Sequence, residues 1–153
     1  MSLAPVVAEF FVLLVILFLD EDNSSLGPLA QAVARQGYPL SGAYETAGRD
    51  GAEQLDSGLV GFLAERGIDI GGVTPTTLDL DERQLADYHV IVGLQGAVAS
   101  YVESVPYHTI VQEWSVGEPP GDEQVGPDYE SVYRDVAYRV RELVTTLRGE
   151  DAP

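Results

Sequence analysis

Lysine and cysteine are both absent from the 153 residues, and all eight basic residues are arginines. Without cysteine the chain can form no disulfide, no thiolate metal site and no cysteine nucleophile. Without lysine, every mechanism that depends on a lysine side chain is excluded. The shortage of positive charge also argues against nucleic-acid binding, in which basic side chains neutralise phosphates, and against attraction to an anionic membrane surface.

Long hydrophobic runs are scarce as well. The main one is Phe10–Leu19, and its ten residues fall short of the roughly 20 that a membrane-spanning helix needs. Glu9 precedes it, three acidic residues follow it, and no basic segment stands before it, so a signal peptide is not expected. We therefore predict no membrane association and a cytoplasmic location.

Acidic residues are abundant: 25 against the eight arginines give a net charge of −17. They are spread evenly, with 10 in residues 1–76, six in 77–116 and nine in 117–153. An even spread indicates an acidic surface rather than an acidic tail. At about 1 M salt the Debye length is about 3 Å, which screens the repulsion within such a surface. The composition predicts adaptation to high salt; the alternative is a surface that binds a basic protein partner.

Apolar segments with strand-like and helix-like patterns alternate along a single domain of residues 1–153. We expect residues 1–8 to be flexible or a cloning remnant, and 148–153 to form a tail. The predicted strands are Phe10–Leu19, Leu40–Thr46, His89–Leu94 and Thr109–Trp114. The predicted helices are Pro28–Gln36, Ser57–Arg66, Glu82–Asp87, Gln95–Val102 and Tyr129–Leu147. This order predicts an α/β three-layer sandwich around a central parallel sheet of four strands.

Parallel sheets bind ligands beyond the carboxyl ends of their strands. The loop after the first strand, Asp20–Gly27, is therefore the first candidate site. The loop after the last strand, Ser115–Asp122, is the second.

The first of these loops, together with its flanks from Leu17 to Ala32, resembles the opening of the low-molecular-weight protein tyrosine phosphatases and their arsenate reductase relatives. That opening is an apolar strand, then Cys-x5-Arg-Ser-Pro, then a helix. The resemblance covers almost the whole chain in order. It continues at Glu45–Gly48, Leu63–Asp69, Leu85–Asp87, Trp114–Pro119 and Tyr129–Asp135. It implies the phosphatase-like fold.

The resemblance also implies that the catalytic groups are missing. The family's nucleophilic Cys, phosphate-binding Arg and orienting Ser correspond to Asp20, Leu26 and Gly27. The rest of the loop is Glu21, Asp22, Asn23, Ser24 and Ser25, and Glu118 stands at the general-acid position. At about 4 Å and an effective dielectric of about 20, each pair of like charges costs about 4 kcal/mol, which opposes phosphate binding. We predict a non-catalytic binding or regulatory module.

Three interpretations of the acidic loop stay open. Asp20, Glu21 and Asp22 also look like the Asp-x-Asp motif of haloacid-dehalogenase-type phosphatases, which would make Asp20 a metal-assisted nucleophile. Those enzymes use a lysine that this chain lacks. Asp20, Asp22 and Glu118 could instead hold Mg²⁺ or another divalent cation, because hard cations prefer carboxylates. The third interpretation is a solvated loop with no ligand.

We expect structural roles for most of the remaining candidate residues. His89 and His108 have no metal-ligand spacing, and Trp114 at a strand end is expected in the core. Tyr129 and Tyr133 lie one turn apart on the last helix. They either pack on a helix face or, as the resemblance implies, line a substrate cleft.

Overall fold

The computed structural model describes residues 14–79, 84–117 and 127–153. Its strands are β1 (Leu14–Asp20), β2 (Gly42–Gly48), β3 (Val90–Gly93) and β4 (Ile110–Glu113). Its α-helices are α1 (Leu26–Gly37), α2 (Ser57–Ala64) and α3 (Pro127–Arg148). Short 3₁₀ turns lie at Leu85–Asp87 and Val98–Ser100. None of the helices in these ranges is long and apolar enough to cross a membrane.

The four strands form one parallel sheet in the order β2-β1-β3-β4. The chain leaves β1 toward β2 on one side and returns to β3 on the other. The change of direction therefore lies at β1, whose carboxyl end is the expected place for a ligand. Asp20, the last residue of β1, lies at this point.

Both faces of β1 are buried, which explains its unbroken apolar sequence. Ile16 and Phe18 join a cluster that α1, α2 and α3 cover. Leu17 and Leu19 face the opposite side and pack in a second cluster with residues of the connections around β3. The α/β fold with a four-stranded parallel sheet is confirmed. In the described part of the chain, three helices cover one face of the sheet and mainly turns cover the other.

Several predicted boundaries were wrong. The helix predicted over Gln95–Val102 is only the turn Val98–Ser100, because Gly96 has a φ of +132°, which no helix includes. The Gly96 carbonyl also lies so close to Gly93 that a side chain at position 93 would not fit. The helix predicted over Glu82–Asp87 falls partly outside the described residues, and its remainder is the turn Leu85–Asp87. Of the strand predicted over Phe10–Leu19, residues 10–13 lie outside the described residues.

The first helix begins at Leu26, two residues earlier than predicted. Pro28 lies in its first turn, where backbone N–H groups have no acceptor within the helix, so the missing proline donor costs nothing. The early start places the N–H of Gly27 at the loop, where it takes part in the site described below.

Candidate functional site

The loop between β1 and α1 is fixed along one side by the chain that follows β2. Four backbone N–H groups of that segment donate to carbonyl groups of the loop at 2.8–3.1 Å. Three of the acceptors belong to consecutive loop residues, and the fourth is the carbonyl of Ser24. The donors are Arg49, Asp50, Ala52 and Asp56. The loop carbonyls therefore point toward this segment.

Asn23 sets the curvature of the loop. Its φ is +57°, a left-handed conformation that asparagine tolerates better than most residues. Its side chain is fully buried, with Nδ2 donating to Thr46 Oγ1 at 2.8 Å and Oδ1 accepting from the N–H of Thr76 at 2.9 Å. Thr46 Oγ1 in turn donates to the Phe18 carbonyl at 3.0 Å. These bonds connect the loop to β1, β2 and the segment beyond.

The Asp20 carboxylate lies inside the curve of the loop. Oδ1 accepts the N–H of Asn23 at 2.8 Å, and Oδ2 accepts the N–H of Gly27 at 2.7 Å. The residue is only 2% exposed. Backbone amides arranged around a concavity form a site for an anion. Here the anion is a side chain of the loop itself.

Glycine at position 27 makes this arrangement possible. A Cβ there would lie 2.2 Å from Thr46 Oγ1, 2.7 Å from Asn23 Nδ2 and 3.1 Å from Asp20 Oδ2. No side chain fits without moving these groups. A serine at position 27, the residue at this position in the family pattern, is incompatible with the observed packing.

Burial raises the pKa of the Asp20 carboxyl to about 6 from its usual 3.8. The hydrogen bonds from Gly27 and Asn23 oppose this shift because they favour the charged form, whereas the negative charge of Asp22 adds to it. At neutral pH Asp20 is therefore ionised, although its surroundings on balance disfavour the charged form.

The other two acidic side chains of the loop lie in different surroundings. Asp22 Oδ1 accepts from the N–H of Ser24 at 3.1 Å and from its hydroxyl at 2.7 Å. Glu21 forms an exposed ion pair with Arg49 at 3.6 Å, and the Arg49 guanidinium lies 5.1 Å from the centre of the Tyr101 ring. Burial, together with the charges of Glu21 and Asp20, raises the pKa of Tyr101.

Comparison with known proteins finds similar solved structures. No family model and no curated protein matches the sequence. Among solved structures, an arsenate reductase from Archaeoglobus fulgidus is 29% identical, with a TM-score of 0.68 over 84% of this chain and 98% of that one. The chain has the fold of the low-molecular-weight protein tyrosine phosphatases and arsenate reductases. Two further structures extend the similarity.

An arsenate reductase in its oxidized state is 22% identical, with a TM-score of 0.74 over 87% of this chain and 98% of that one. The tyrosine phosphatase Wzb from Escherichia coli K30, solved in complex with sulphate, is 14% identical, with a TM-score of 0.69 over 89% of this chain and 99% of that one. At these identities the two structures support the fold alone.

The three residues that the resemblance aligns with the family's Cys, Arg and Ser all make structural contacts in this chain. Asp20 accepts the loop amides, and Gly27 donates one of them. Leu26 is 2% exposed and belongs to the large hydrophobic cluster under the helices. A buried leucine here shows that position 26 contributes to the core.

The proposed cation site stays a prediction. Glu118 lies outside the described residues, so its distance from Asp20 and Asp22 is not established. Within the described ranges, no group of three or more His, Asp or Glu side chains could hold a metal ion.

The remaining candidates lie in structural surroundings. His89 Nδ1 accepts a hydrogen bond from the N–H of Val15 at 2.9 Å. Trp114 is buried, and its ring centre lies 6.0 Å from that of Phe18. Tyr129 is 1% exposed and donates to the Asp56 carboxylate at 3.1 Å. Tyr129 and Tyr133 both pack against the Phe62 ring, at 5.8 and 5.9 Å; the interpretation that they pack on a helix face is the one that fits. His108 is exposed.

Thr46 and Thr76 are site residues that the sequence interpretation missed. Both fix Asn23, and both line a cavity of about 240 Å³ beside the loop. The available signal was the segment Glu45–Gly48, which resembles a family motif, whereas nothing in the sequence around Thr76 marks it.

Proposed function

We propose that this chain is a non-catalytic member of its family that serves as a binding or regulatory module. The observation that carries the proposal is the position of the Asp20 carboxylate. Each of its oxygens accepts a loop amide, and the side chain is almost fully buried. A nucleophile must reach the substrate, and an anion site must have free donors, so this arrangement opposes both catalysis and phosphate binding.

The missing groups support the same conclusion. The chain has no cysteine to act as nucleophile, and a core leucine stands where the family pattern has its phosphate-binding arginine. An aspartate nucleophile would need a cation to neutralise the phosphoryl group. Arg49, the arginine that follows β2, is engaged with Glu21. No observation favours the metal-assisted phosphatase over the non-catalytic module.

We also propose that the protein works in the cytoplasm of an organism that accumulates salt. The net charge of −17, the complete absence of lysine and the even spread of acidic residues support this proposal. Such a surface remains compatible with a folded state where salt screens its repulsion.

The test is hydrolysis of an aryl phosphate at high KCl, with and without Mg²⁺. We expect no turnover above background in either condition. Asp20→Cys should also be inactive, because Leu26 still provides no group to bind the phosphoryl oxygens. Glu53→Gln, which changes an exposed acid outside the loop, is the matched control. Turnover that requires Mg²⁺, disappears in Asp20→Asn and persists in Glu53→Gln would establish the metal-assisted phosphatase instead.

A further inference from the structure

The edge strand β4 is exposed on both of its faces. Ile110 is 47% exposed and Val111 is 42% exposed, although their side chains alternate between opposite faces of the sheet. Tyr107, just before the strand, is fully exposed. The described residues have five large hydrophobic side chains with high exposure, and these three lie within 107–111. Clustered exposed apolar side chains mark interaction surfaces, whereas scattered ones do not.

The outer edge of β4 offers hydrogen-bonding groups. The N–H groups of Ile110 and Trp114 donate inward to His89 and Gly93 of the β3 side, at 2.9 and 2.7 Å. Alternation along the strand turns the N–H and C=O of Val111 and Glu113 the other way. In the sheet as described, no strand follows β4. Such an edge is a template for another extended chain.

The opposite edge of the sheet is protected by the chain itself. The carbonyl of Tyr44 in β2 accepts from the side chains of Gln31 and Arg35, at 2.9 and 3.2 Å. The N–H of Leu40, just before β2, donates to the Pro153 oxygen at 2.9 Å. Proteins commonly cover or charge their edge strands to prevent unwanted pairing. Among the residues that the structure describes, one edge is covered and the outer edge of β4 has no further strand beside it.

The charge of the segments that carry β4 indicates the kind of partner. The described stretch 84–117 contains Asp87, Glu103 and Glu113 and no lysine or arginine. A second copy of this chain would bring the same negative charge to the edge, and at moderate ionic strength the two would repel each other. A partner segment with arginine or lysine would be attracted.

We propose that the free edge of β4 binds an extended, basic segment of a partner protein, which adds a fifth strand to the sheet. Its backbone would pair with Val111 and Glu113, its apolar side chains would cover Ile110 and Val111, and its basic side chains would face the acidic surroundings. The proposal deepens the binding role proposed above and rests on it, but it concerns a different surface from the Asp20 loop.

The probe is a short fluorescent peptide that alternates valine and arginine, measured by anisotropy in about 0.3 M KCl, where attraction between charges is reduced but not lost. Val111→Pro removes an outward N–H while leaving the N–H groups that pair with β3. Val111→Thr keeps that N–H and is the matched control. We expect Val111→Pro to weaken binding about tenfold or more and Val111→Thr to change it little.

The peptide supplies a test that leaves the protein intact. Methylation of its backbone nitrogens on one edge should abolish binding, because strand addition depends on those donors. A peptide that alternates valine and glutamate should not bind.

Equal binding of the methylated and unmethylated peptides, or of the wild type and Val111→Pro, would overturn the proposal in favour of unspecific charge attraction. A concentration-dependent dimer that Val111→Pro abolishes would overturn it in favour of a second copy. None of these outcomes depends on the phosphatase assay, which tests the Asp20 loop separately.

Discussion

The melting temperature is expected to rise by about 10–20 °C when KCl is increased from about 0.1 M to about 2 M. The net charge of −17 on 153 residues makes the folded chain repel itself at low ionic strength. Screening weakens this repulsion more in the compact folded state, where the charges are closest, than in the unfolded chain. A gain on the order of 5 kcal/mol corresponds to that temperature range for a domain of this size. Thermal unfolding followed by circular dichroism measures it.

A variant with fewer charges separates screening from other effects of salt. Glu53, Glu65 and Glu103 are exposed, and changing all three to glutamine makes the net charge less negative by three without changing a core residue. We expect this variant to be more stable than the wild type at low salt and to depend less on KCl. A flat salt profile of the wild type would mean that the acidic surface has another cause, such as a basic partner.

The second large effect concerns the pH dependence of stability. The pKa of Asp20 is about 6 in the folded protein, above the 3.8 of an unperturbed aspartate. Between these values the folded state binds the proton more tightly than the unfolded state, so this residue makes the protein less stable as the pH rises. The total change is roughly 3 kcal/mol and is complete above about pH 6.

Asp20→Asn removes this titration. We therefore expect the wild type to lose roughly 3 kcal/mol of unfolding free energy relative to Asp20→Asn between about pH 4 and pH 7. Comparing the two proteins cancels the titration of the other carboxylates, and denaturant unfolding at high KCl provides the free energies. Glu53→Gln serves as a control for loss of an acidic charge, because Glu53 is exposed and lies outside the loop. If the difference between wild type and Asp20→Asn stays constant over this range, Asp20 is not titrating as the structure implies.

The fold was largely predictable because its signals are local or repeat along the chain. The apolar run Phe10–Leu19 indicated a strand buried on both faces, and the spacing of valines and leucines in α3 indicated a helix. The connection after β3 was predicted wrongly because Gly96 adopts a φ of +132°, which no helix includes, and the apolar pattern of the segment does not show that its glycine adopts this conformation.

The site was predictable only in its location. A predicted strand ending at Leu19 and a predicted helix beginning at Pro28 indicated a loop between them, and the structure has a loop there between Asp20 and Leu26. That the Asp20 carboxylate accepts the N–H groups of Asn23 and Gly27 depends on the left-handed conformation of Asn23 and on its anchoring by Thr46 and Thr76. The sequence suggested that three acidic side chains repel an anion, whereas the structure shows one carboxylate already bonded to the amides that an anion would need.

The most direct test of this arrangement is a sulfate titration followed through the amide resonances of Asn23 and Gly27 by ¹⁵N NMR, at constant ionic strength. In the wild type, Asp20 already accepts both N–H groups, so we predict that neither resonance moves in a saturable way. In Asp20→Ala both groups are released, and both resonances should shift together and saturate. Saturable shifts of both resonances in the wild type would show that the loop binds an oxyanion despite Asp20 and would contradict its role as the internal anion of the loop.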